Sequence, residues 1–417
     1  MTPDPPGLPA RRAALRLLDA VLRRGEPLDQ AASNALRGLP AHEDRALATA
    51  IAAEALRWLT DLDALIDSAT RQPLPSDAKP RSVLRLMLAQ ALRLGTPPHA
   101  VLATALPLLS GGPRRLAHGV FSTLLKRGAR LPATPTLPAE AAQRWTAAWP
   151  DRIAAVAAAL AAPPPLDLSL RDGSETQAWT ERLGGLSIAR GHVRLERGAA
   201  IERLPGFAQG AWWVQDFAAS LPARLLGQGH GRTALDLCAA PGGKALQLAA
   251  AGWRVTALDK SARRLERLSA NLARTGLAAE IVVADALTWD PPARFEAILL
   301  DAPCSATGTC RRHPDVLHRV GRAQIAELAE LQRALLQRAS GWLAPGGRLV
   351  YAVCSLEPEE GETQAAQVAL APDPIRADEL LAGLTPTPEG WLRTDPGMLA
   401  EDGGMDGFFV ARFVNEA

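Results

Sequence analysis

The sequence has little of what marks secreted or membrane proteins. Its 417 residues include four cysteines, which is too few for the disulfide framework of a small secreted domain. No apolar run approaches the roughly 20 residues that a transmembrane helix needs, and the N-terminal segment shows no secretory hydrophobic region. We therefore expect a cytoplasmic protein without a membrane partner, in a reducing compartment that keeps its thiols available.

Lysine is also scarce, because only four of the 46 basic residues are lysines. This arginine bias fits codon usage and is not by itself evidence for RNA binding. The distribution of charge is more informative: residues 1–150 hold 19 basic and 12 acidic residues, whereas residues 151–417 hold 27 and 32. A basic first part favours a nucleic-acid-facing module joined to a second domain, although a soluble basic helical domain fits equally well.

The chain is too long for one hydrophobic core of typical size, and its sequence pattern changes at two points. Residues 1–130 show apolar positions at helical spacing and no strand pattern, which predicts an all-helical domain. Residues 131–215 begin with prolines and predict linker helices followed by a small α+β unit. In residues 216–417 strands alternate with helices, which predicts a parallel sheet covered on both faces. The predicted fold is therefore multidomain: an all-α N-terminal domain, an α+β connector and a Rossmann-like α/β domain.

A turn of small residues follows the first strand of that α/β domain. It comprises Cys238, Ala239, Ala240, Pro241, Gly242, Gly243 and Lys244. Small residues let the backbone approach a ligand, and a helix N-terminus offers free N–H groups. The spacing matches neither a P-loop nor the dinucleotide G-x-G-x-x-G motif. Asp259 and Asp285 end the next two strands, where carboxylates suit ribose hydroxyls and the adenine side. The pattern favours S-adenosylmethionine over NAD or ATP as the cofactor.

Two cysteines follow apolar runs that read as buried strands: Cys304, in a segment that begins at Asp301, and Cys354. In open α/β sheets the ligand crevice lies beyond the carboxyl ends of the strands, so both thiols could face one pocket. Thiolates are strong nucleophiles, and two of them suggest covalent chemistry. On these runs alone, two buried structural cysteines are an equally good interpretation.

Four ordered segments then resemble the RNA cytosine-5 methyltransferases. They are Asp236–Lys244, Asp301–Gly308, Arg311–Asp315, and Cys354-Ser355 with Pro358-Glu359-Glu360. The resemblance is strong over residues 205–417. Over residues 1–130 it is architectural only, to a helical domain of the NusB type, and the combination resembles bacterial 16S ribosomal RNA cytosine-C5 methyltransferases of the Sun (Fmu, RsmB) type. The chain departs from the family at Ala245 and Val353, where the family often has threonine, and Val353 offers no hydroxyl for a hydrogen bond.

The resemblance implies roles for these residues. Cys354 is the thiol that attacks C6 of the cytosine, and Cys304 serves product release. Asp301 lies against N3 and N4 of the base or against the amino group of the cofactor. Arg311 and Arg312 are candidates for contacts with RNA phosphates. The implied cofactor is S-adenosylmethionine, the implied partner is 16S ribosomal RNA, and we expect a monomer.

Other interpretations stay open. The spacing Cys304-x5-Cys310-x2-His313-x4-His318 lacks the usual start of a zinc site, so we expect no metal. Another RNA such as tRNA could be the substrate, and an RNA-binding module with a vestigial catalytic domain is a second alternative. A DNA cytosine methyltransferase would attack with the Pro-Cys thiol, here that of Cys304, and would carry a Glu-Asn-Val motif that this chain lacks.

Overall fold

The structure is a computed structural model that describes residues 5–416. Its helices are α1 Leu8–Arg24, α2 Leu28–Ala35, α3 His42–Arg57, α4 Leu59–Ser68, α5 Lys79–Leu92, α6 Pro98–Ala105, α7 Gly111–Lys126, α8 Ala139–Ala148, α9 Ile153–Ala159, α10 Thr176–Leu183, α11 Phe217–Arg224, α12 Gly243–Ala250, α13 Ala262–Thr275, α14 Val316–Arg319, α15 Arg322–Gly341 and α16 Glu362–Ala365. Its strands are β1 Leu166–Leu170, β2 His192–Leu195, β3 Trp212–Val214, β4 Thr233–Leu237, β5 Arg254–Asp259, β6 Ala279–Val283, β7 Phe295–Asp301, β8 Leu343–Val353, β9 Ala371–Pro372, β10 Leu392–Arg393 and β11 Phe409–Val414.

The chain divides into two compact units. The first contains residues 5–162 together with 310–320, and the second contains residues 163–309 together with 321–416. The helical unit thus runs past residue 130, the boundary expected from composition. It also includes residues 310–320, which come from the middle of the α/β region in the sequence.

The regular elements among the described residues of the first unit are all helices, and a large apolar cluster between Leu8 and Leu124 forms much of its core. Helix α5 lies at the centre, because its residues from Arg81 to Gln90 are all buried. The buried guanidinium of Arg81 is 2.8 Å from Asp67, and the neighbouring Arg85 is 2.7 Å from Asp63. These ion pairs satisfy charges that would otherwise be costly inside a core.

Residues 310–320 pack within this helical unit. The Arg57 guanidinium donates to the carbonyl of Arg311 at 2.8 Å, and Leu28 N–H donates to Asp315 at 3.3 Å. A ring nitrogen of His318 is 2.7 Å from the carbonyl of Leu56. Side-chain and backbone hydrogen bonds therefore hold this segment at several points.

The second unit holds two sheets. Strands β2, β1 and β3 form a small antiparallel sheet. Asp167 on β1 is buried there, with Arg194 bound to both of its carboxylate oxygens at 2.7 and 2.8 Å. Trp212 and Trp213 are buried as well, so these two rings belong to hydrophobic cores.

The larger sheet has eight strands in the order β10-β11-β8-β7-β4-β5-β6, with β9 paired to β11. Strands β4 to β8 are parallel, and β11 runs antiparallel to β8. Apolar clusters cover both faces, one with helices α11 to α13 and the other with α15. The predicted fold class is confirmed: an all-α first domain and a Rossmann-like α/β domain. Among residues 5–416 no helix is long and apolar enough to cross a membrane.

Candidate active site

The order of the central strands brings the sequence-predicted residues together. Strand β7 lies between β4 and β8, and all three run in the same direction. Asp301 is the last residue of β7, Cys354 directly follows β8, and Lys244 lies in the first turn of α12 after β4. Carboxyl ends of parallel strands open onto one crevice, which explains why residues distant in sequence meet here.

The two thiols lie side by side. The Sγ atoms of Cys304 and Cys354 are 3.4 Å apart, and both residues are partly exposed. The hydrogen bond with Cys354, followed by burial and by the charges of Cys354 and Glu360, raises the pKa of Cys304 well above its ordinary value. The structure thus brings the two cysteines together at the ends of neighbouring strands, and their roles stay a prediction.

Backbone hydrogen bonds fix the loop that carries Cys304. Ala302 N–H donates to the carbonyl of Ala352 at 3.0 Å, which extends the pairing of β7 and β8. Four residues after Cys304, Gly308 N–H donates to the carbonyl of Cys354, also at 3.0 Å. Between these points Ala306 has a φ of 59°, a left-handed conformation that is uncommon for a residue with a side chain. The loop therefore folds back over β8 and returns beside the second cysteine.

The Lys244 side chain points towards the end of β7. Its Nζ is 2.7 Å from Oδ2 of Asp301, and the lysine is almost completely buried. Burial works to lower the pKa of Lys244, but the charge and hydrogen bond of Asp301, with smaller contributions from Cys354 and Asp236, raise it above its ordinary value. The ammonium group thus remains charged beside Asp301. The sequence predicts Lys244 only as a residue of the cofactor turn.

Gly242 lets the turn before α12 pack closely against Leu268. Gly242 has a φ of 110°, and a Cβ atom there would lie 2.5 Å from a methyl carbon of Leu268. The buried carboxylate of Asp259 accepts a hydrogen bond from Ala240 N–H at 3.2 Å and one from Ser261 N–H at 2.8 Å. Asp259 therefore ties the end of β5 to the glycine turn.

Asp236 was quoted in the sequence motif but was not predicted as a site residue. It lies in β4, is completely buried, and neither carboxylate oxygen has a hydrogen-bond partner among the described residues. Burial, and then the charge of Asp301, raises its pKa well above the ordinary value. The signal in the sequence was an acidic residue inside an apolar strand, since buried carboxyls are rare without a partner.

The remaining predicted residues lie in different surroundings. Asp285 is exposed and accepts a hydrogen bond from Leu287 N–H at 2.9 Å. Arg311 and Arg312 belong to the segment packed in the helical unit, where Arg311 is 5% exposed and Arg312 is half-buried. The Arg311 side chain offers almost no surface to a phosphate in this conformation. RNA contacts by the two arginines stay a prediction.

Two further observations concern cysteines and metals. Burial raises the pKa of Cys238 to about 12, so this thiol of the cofactor turn is poorly suited to act as a nucleophile. Within residues 5–416 no cluster of three or more His, Cys, Asp or Glu side chains could hold a metal ion.

These residues fit S-adenosylmethionine. The orphaned oxygens of Asp236, near the end of β4, are acceptors that no described residue uses. Gly242, Gly243 and Asp259 would hold the cofactor at the carboxyl edge of the sheet, where such folds bind nucleosides. No described residue supplies a phosphate-binding lysine in this turn, because Lys244 is paired with Asp301.

Comparison with known proteins agrees with both domains. Residues 223–414 match the family model described as 16S rRNA methyltransferase RsmB/F, and residues 8–110 match the NusB family. Ribosomal RNA small subunit methyltransferase B of Sodalis glossinidius is 36% identical over 97% of this chain and 98% of its own length. The protein of the same name from Klebsiella pneumoniae is 35% identical over 97% of each chain.

Solved structures show the same fold. A crystal structure described as PH0851 superposes with a TM-score of 0.73 at 22% identity and covers 99% of each chain. A methyltransferase homolog from Pyrococcus horikoshii has a TM-score of 0.56 at 25% identity, over 70% of this chain and 98% of its own. The chain belongs to the 16S rRNA methyltransferase RsmB/F family and is an RNA methyltransferase that uses S-adenosylmethionine.

Proposed function

We propose that the protein methylates C5 of a specific cytidine in 16S ribosomal RNA through a covalent adduct between Cys354 and C6 of the base. The observation that carries this proposal is the pair of thiols 3.4 Å apart, next to the ion pair of Lys244 and Asp301. The names of the full-length relatives support ribosomal RNA of the small subunit as the substrate.

The chemistry requires a nucleophile, because C5 of cytosine is a poor one by itself. The Cys354 sulfur forms a bond to C6, and the electron pair of the C5–C6 double bond moves towards N3, which makes C5 enamine-like. S-adenosylmethionine supplies the methyl group to that carbon. C5 then gives its proton to water, the electron pair of that C–H bond re-forms the C5–C6 double bond, and the Cys354 sulfur leaves as a thiolate.

Lys244 stabilises the charge that builds up on the base, because its ammonium group is placed where negative charge develops. The Asp301 carboxylate, paired with that ammonium group, can accept a hydrogen bond from the N4 amino group of the base. The target base must leave its stack to reach groups at the carboxyl edge of the sheet. Cys304, next to the adduct, serves the release of the product, as the family resemblance implies.

The test is methylation in vitro followed by bisulfite sequencing. Purified protein, S-adenosylmethionine and 16S ribosomal RNA are expected to yield 5-methylcytidine at one position, and the same position should be unmethylated in a strain that lacks the protein. Methylation of tRNA instead of 16S RNA would favour the alternative substrate. Failure to bind S-adenosylmethionine in calorimetry would favour a vestigial catalytic domain.

A further inference from the structure

Glu360 lies between the two cysteine loops and has no role in the mechanism given above. It is fully buried, and its carboxylate contacts the residue that follows each cysteine. The Ser305 N–H donates to Oε1 at 2.8 Å, and the hydroxyls of Ser305 and Ser355 both donate to Oε2. One side chain thus binds the loop after β7 and the loop after β8.

A second connection holds the other side of Cys304. The amide of Gln332, on α15, donates to Oε1 of Glu360 at 3.2 Å and to the carbonyl of Pro303 at 2.8 Å. Pro303 and Ser305 flank Cys304, so both of its chain neighbours are held through Glu360 or through its partner. The hydroxyl of Tyr351 donates to the backbone carbonyl of Glu360, which fixes the loop at its far end.

We propose that Glu360 is a positioning residue that sets the distance between the two thiols and places a negative charge next to the loop that carries Cys304. This inference rests on the proposed function, because it explains why two adjacent cysteines act differently. The carboxylate accepts four hydrogen bonds, two of them from N–H groups that cannot accept one in return.

Charges around the thiols are arranged unequally. Burial raises the pKa of Glu360, while the hydrogen bonds from Ser305, Ser355 and Gln332 work in the opposite direction. The charge of Glu360 is one cause of the raised pKa of Cys304, whereas the charge of Cys354 acts on Lys244. The Glu360 carboxylate thus binds the chain neighbour of Cys304, whereas the Lys244 ammonium group interacts electrostatically with Cys354.

The other ionisable groups nearby do not change this picture. Burial, and then the charge of Cys304, raises the pKa of Tyr351 well above its ordinary value, so the phenol keeps its proton. The guanidinium of Arg393 is paired with Glu362 at 2.6 Å. A further ion pair near the thiols is that of Lys244 and Asp301, described above.

The test measures alkylation of each cysteine by iodoacetamide as a function of pH, resolved by peptide mass spectrometry and without RNA. In Glu360→Gln the midpoint for Cys304 is expected to fall by about one pH unit or more, since a nearby negative charge is removed. The rate at Cys354 in the same protein is the internal reference. The matched control is Glu359→Gln, an exposed carboxyl in the same loop, which should leave the midpoint unchanged.

A second variant separates charge from position. Glu360→Asp keeps the charge but shortens the side chain, so the Cys304 midpoint should stay close to that of the wild type. Its kcat should fall about 10- to 100-fold with little change in KM for S-adenosylmethionine, because the thiols move relative to each other. Merely loosened loops would speed alkylation of both cysteines without moving either midpoint, and that result would overturn the proposal.

Each outcome bears on the proposal. A folded Glu360→Gln protein with an unchanged Cys304 midpoint contradicts it. If that variant does not fold, Ser355→Ala removes one tether and keeps the charge, and wild-type kcat in this variant also contradicts it. Because the alkylation needs no RNA, a wild-type protein that fails to methylate 16S RNA refutes the proposed function while the thiol titration still tests Glu360.

Discussion

Lys244 Nζ forms a 2.7 Å ion pair with Asp301, which joins the turn after β4 to the end of β7. A lysine in a glycine-rich turn invites comparison with phosphate-binding loops, but this one is directed at a carboxylate. Its partner lies three residues before Cys304 in the sequence. The pair therefore links the cofactor turn to the loop that carries one of the thiols.

Lys244→Met is expected to reduce kcat at least 100-fold, because Asp301 loses its counter-ion beside the reacting base. Binding of S-adenosylhomocysteine, measured by calorimetry, should weaken less than tenfold. The control is Lys260→Met, which removes an exposed lysine from the neighbouring strand end. A large loss of cofactor affinity with unchanged kcat would show instead that Lys244 serves the cofactor.

Asp236→Asn should make the ligand-free protein more stable at neutral pH. The folded-state pKa of Asp236 is raised well above the value of an unfolded chain, so folding becomes less favourable as the pH rises through this interval. An amide has no such penalty. Urea unfolding from pH 4 to 8 should show a gap between variant and wild type that widens with pH, and a constant gap contradicts the burial argument.

Gly242→Ala tests the shape of the cofactor turn. The new Cβ would lie 2.5 Å from Leu268 in a left-handed backbone, and both effects disturb the turn. We expect cofactor affinity to fall more than about tenfold. Gly276→Ala is the matched control, because it has a φ of 67° with nothing within 4 Å. If both variants lose the same cofactor affinity, backbone strain is responsible for the loss and the close approach to Leu268 is not.

Asp167→Asn tests the buried ion pair of the small sheet. Burial alone would raise the pKa of Asp167, but hydrogen bonds from Arg194 and His192 outweigh it and hold the pKa below its usual range. This stabilisation is present above the unfolded pKa of about 4 and is lost as the pH falls through the folded value.

At pH 7 we expect Asp167→Asn to be less stable by about 3–5 kcal/mol, because the buried guanidinium of Arg194 loses its partner. Urea unfolding at several pH values should show the difference shrinking below pH 4. Glu196→Gln changes an exposed carboxyl at the end of β2 and should have little effect. A difference independent of pH would mean that packing, not ionisation, is responsible.

The sheet could be predicted from the sequence because its strands are short apolar runs that end in polar turns. The apolar run Phe295–Leu300 lies in β7, and the run Gly347–Val353 lies in β8. Their carboxyl ends then placed Cys304 and Cys354 in one crevice. The sequence could not predict the contacts that depend on tertiary packing.

Two such contacts illustrate the limit. The sequence around Arg311 reads as an exposed loop, yet the segment packs in the helical unit through partners more than 250 residues away, such as Arg57. Glu360 was visible only as part of a family motif. Nothing in its local sequence indicates that its carboxylate accepts hydrogen bonds from the serines after both cysteines.

Removal of Cys304 and removal of Cys354 are expected to have different effects on the covalent attachment of RNA. Protein incubated with 16S ribosomal RNA and S-adenosylmethionine can be examined on a denaturing gel for RNA attached to the chain. Cys310→Ala, which removes a thiol with no assigned catalytic role, is the matched control and should show no attached RNA.

We predict that Cys354→Ala abolishes methylation and gives no attached RNA, because the nucleophile is missing. Cys304→Ala should accumulate RNA covalently bound through Cys354, because release is impaired. If Cys304→Ala prevents attachment while Cys354→Ala permits it, the roles of the two cysteines are reversed and the proposed mechanism is wrong.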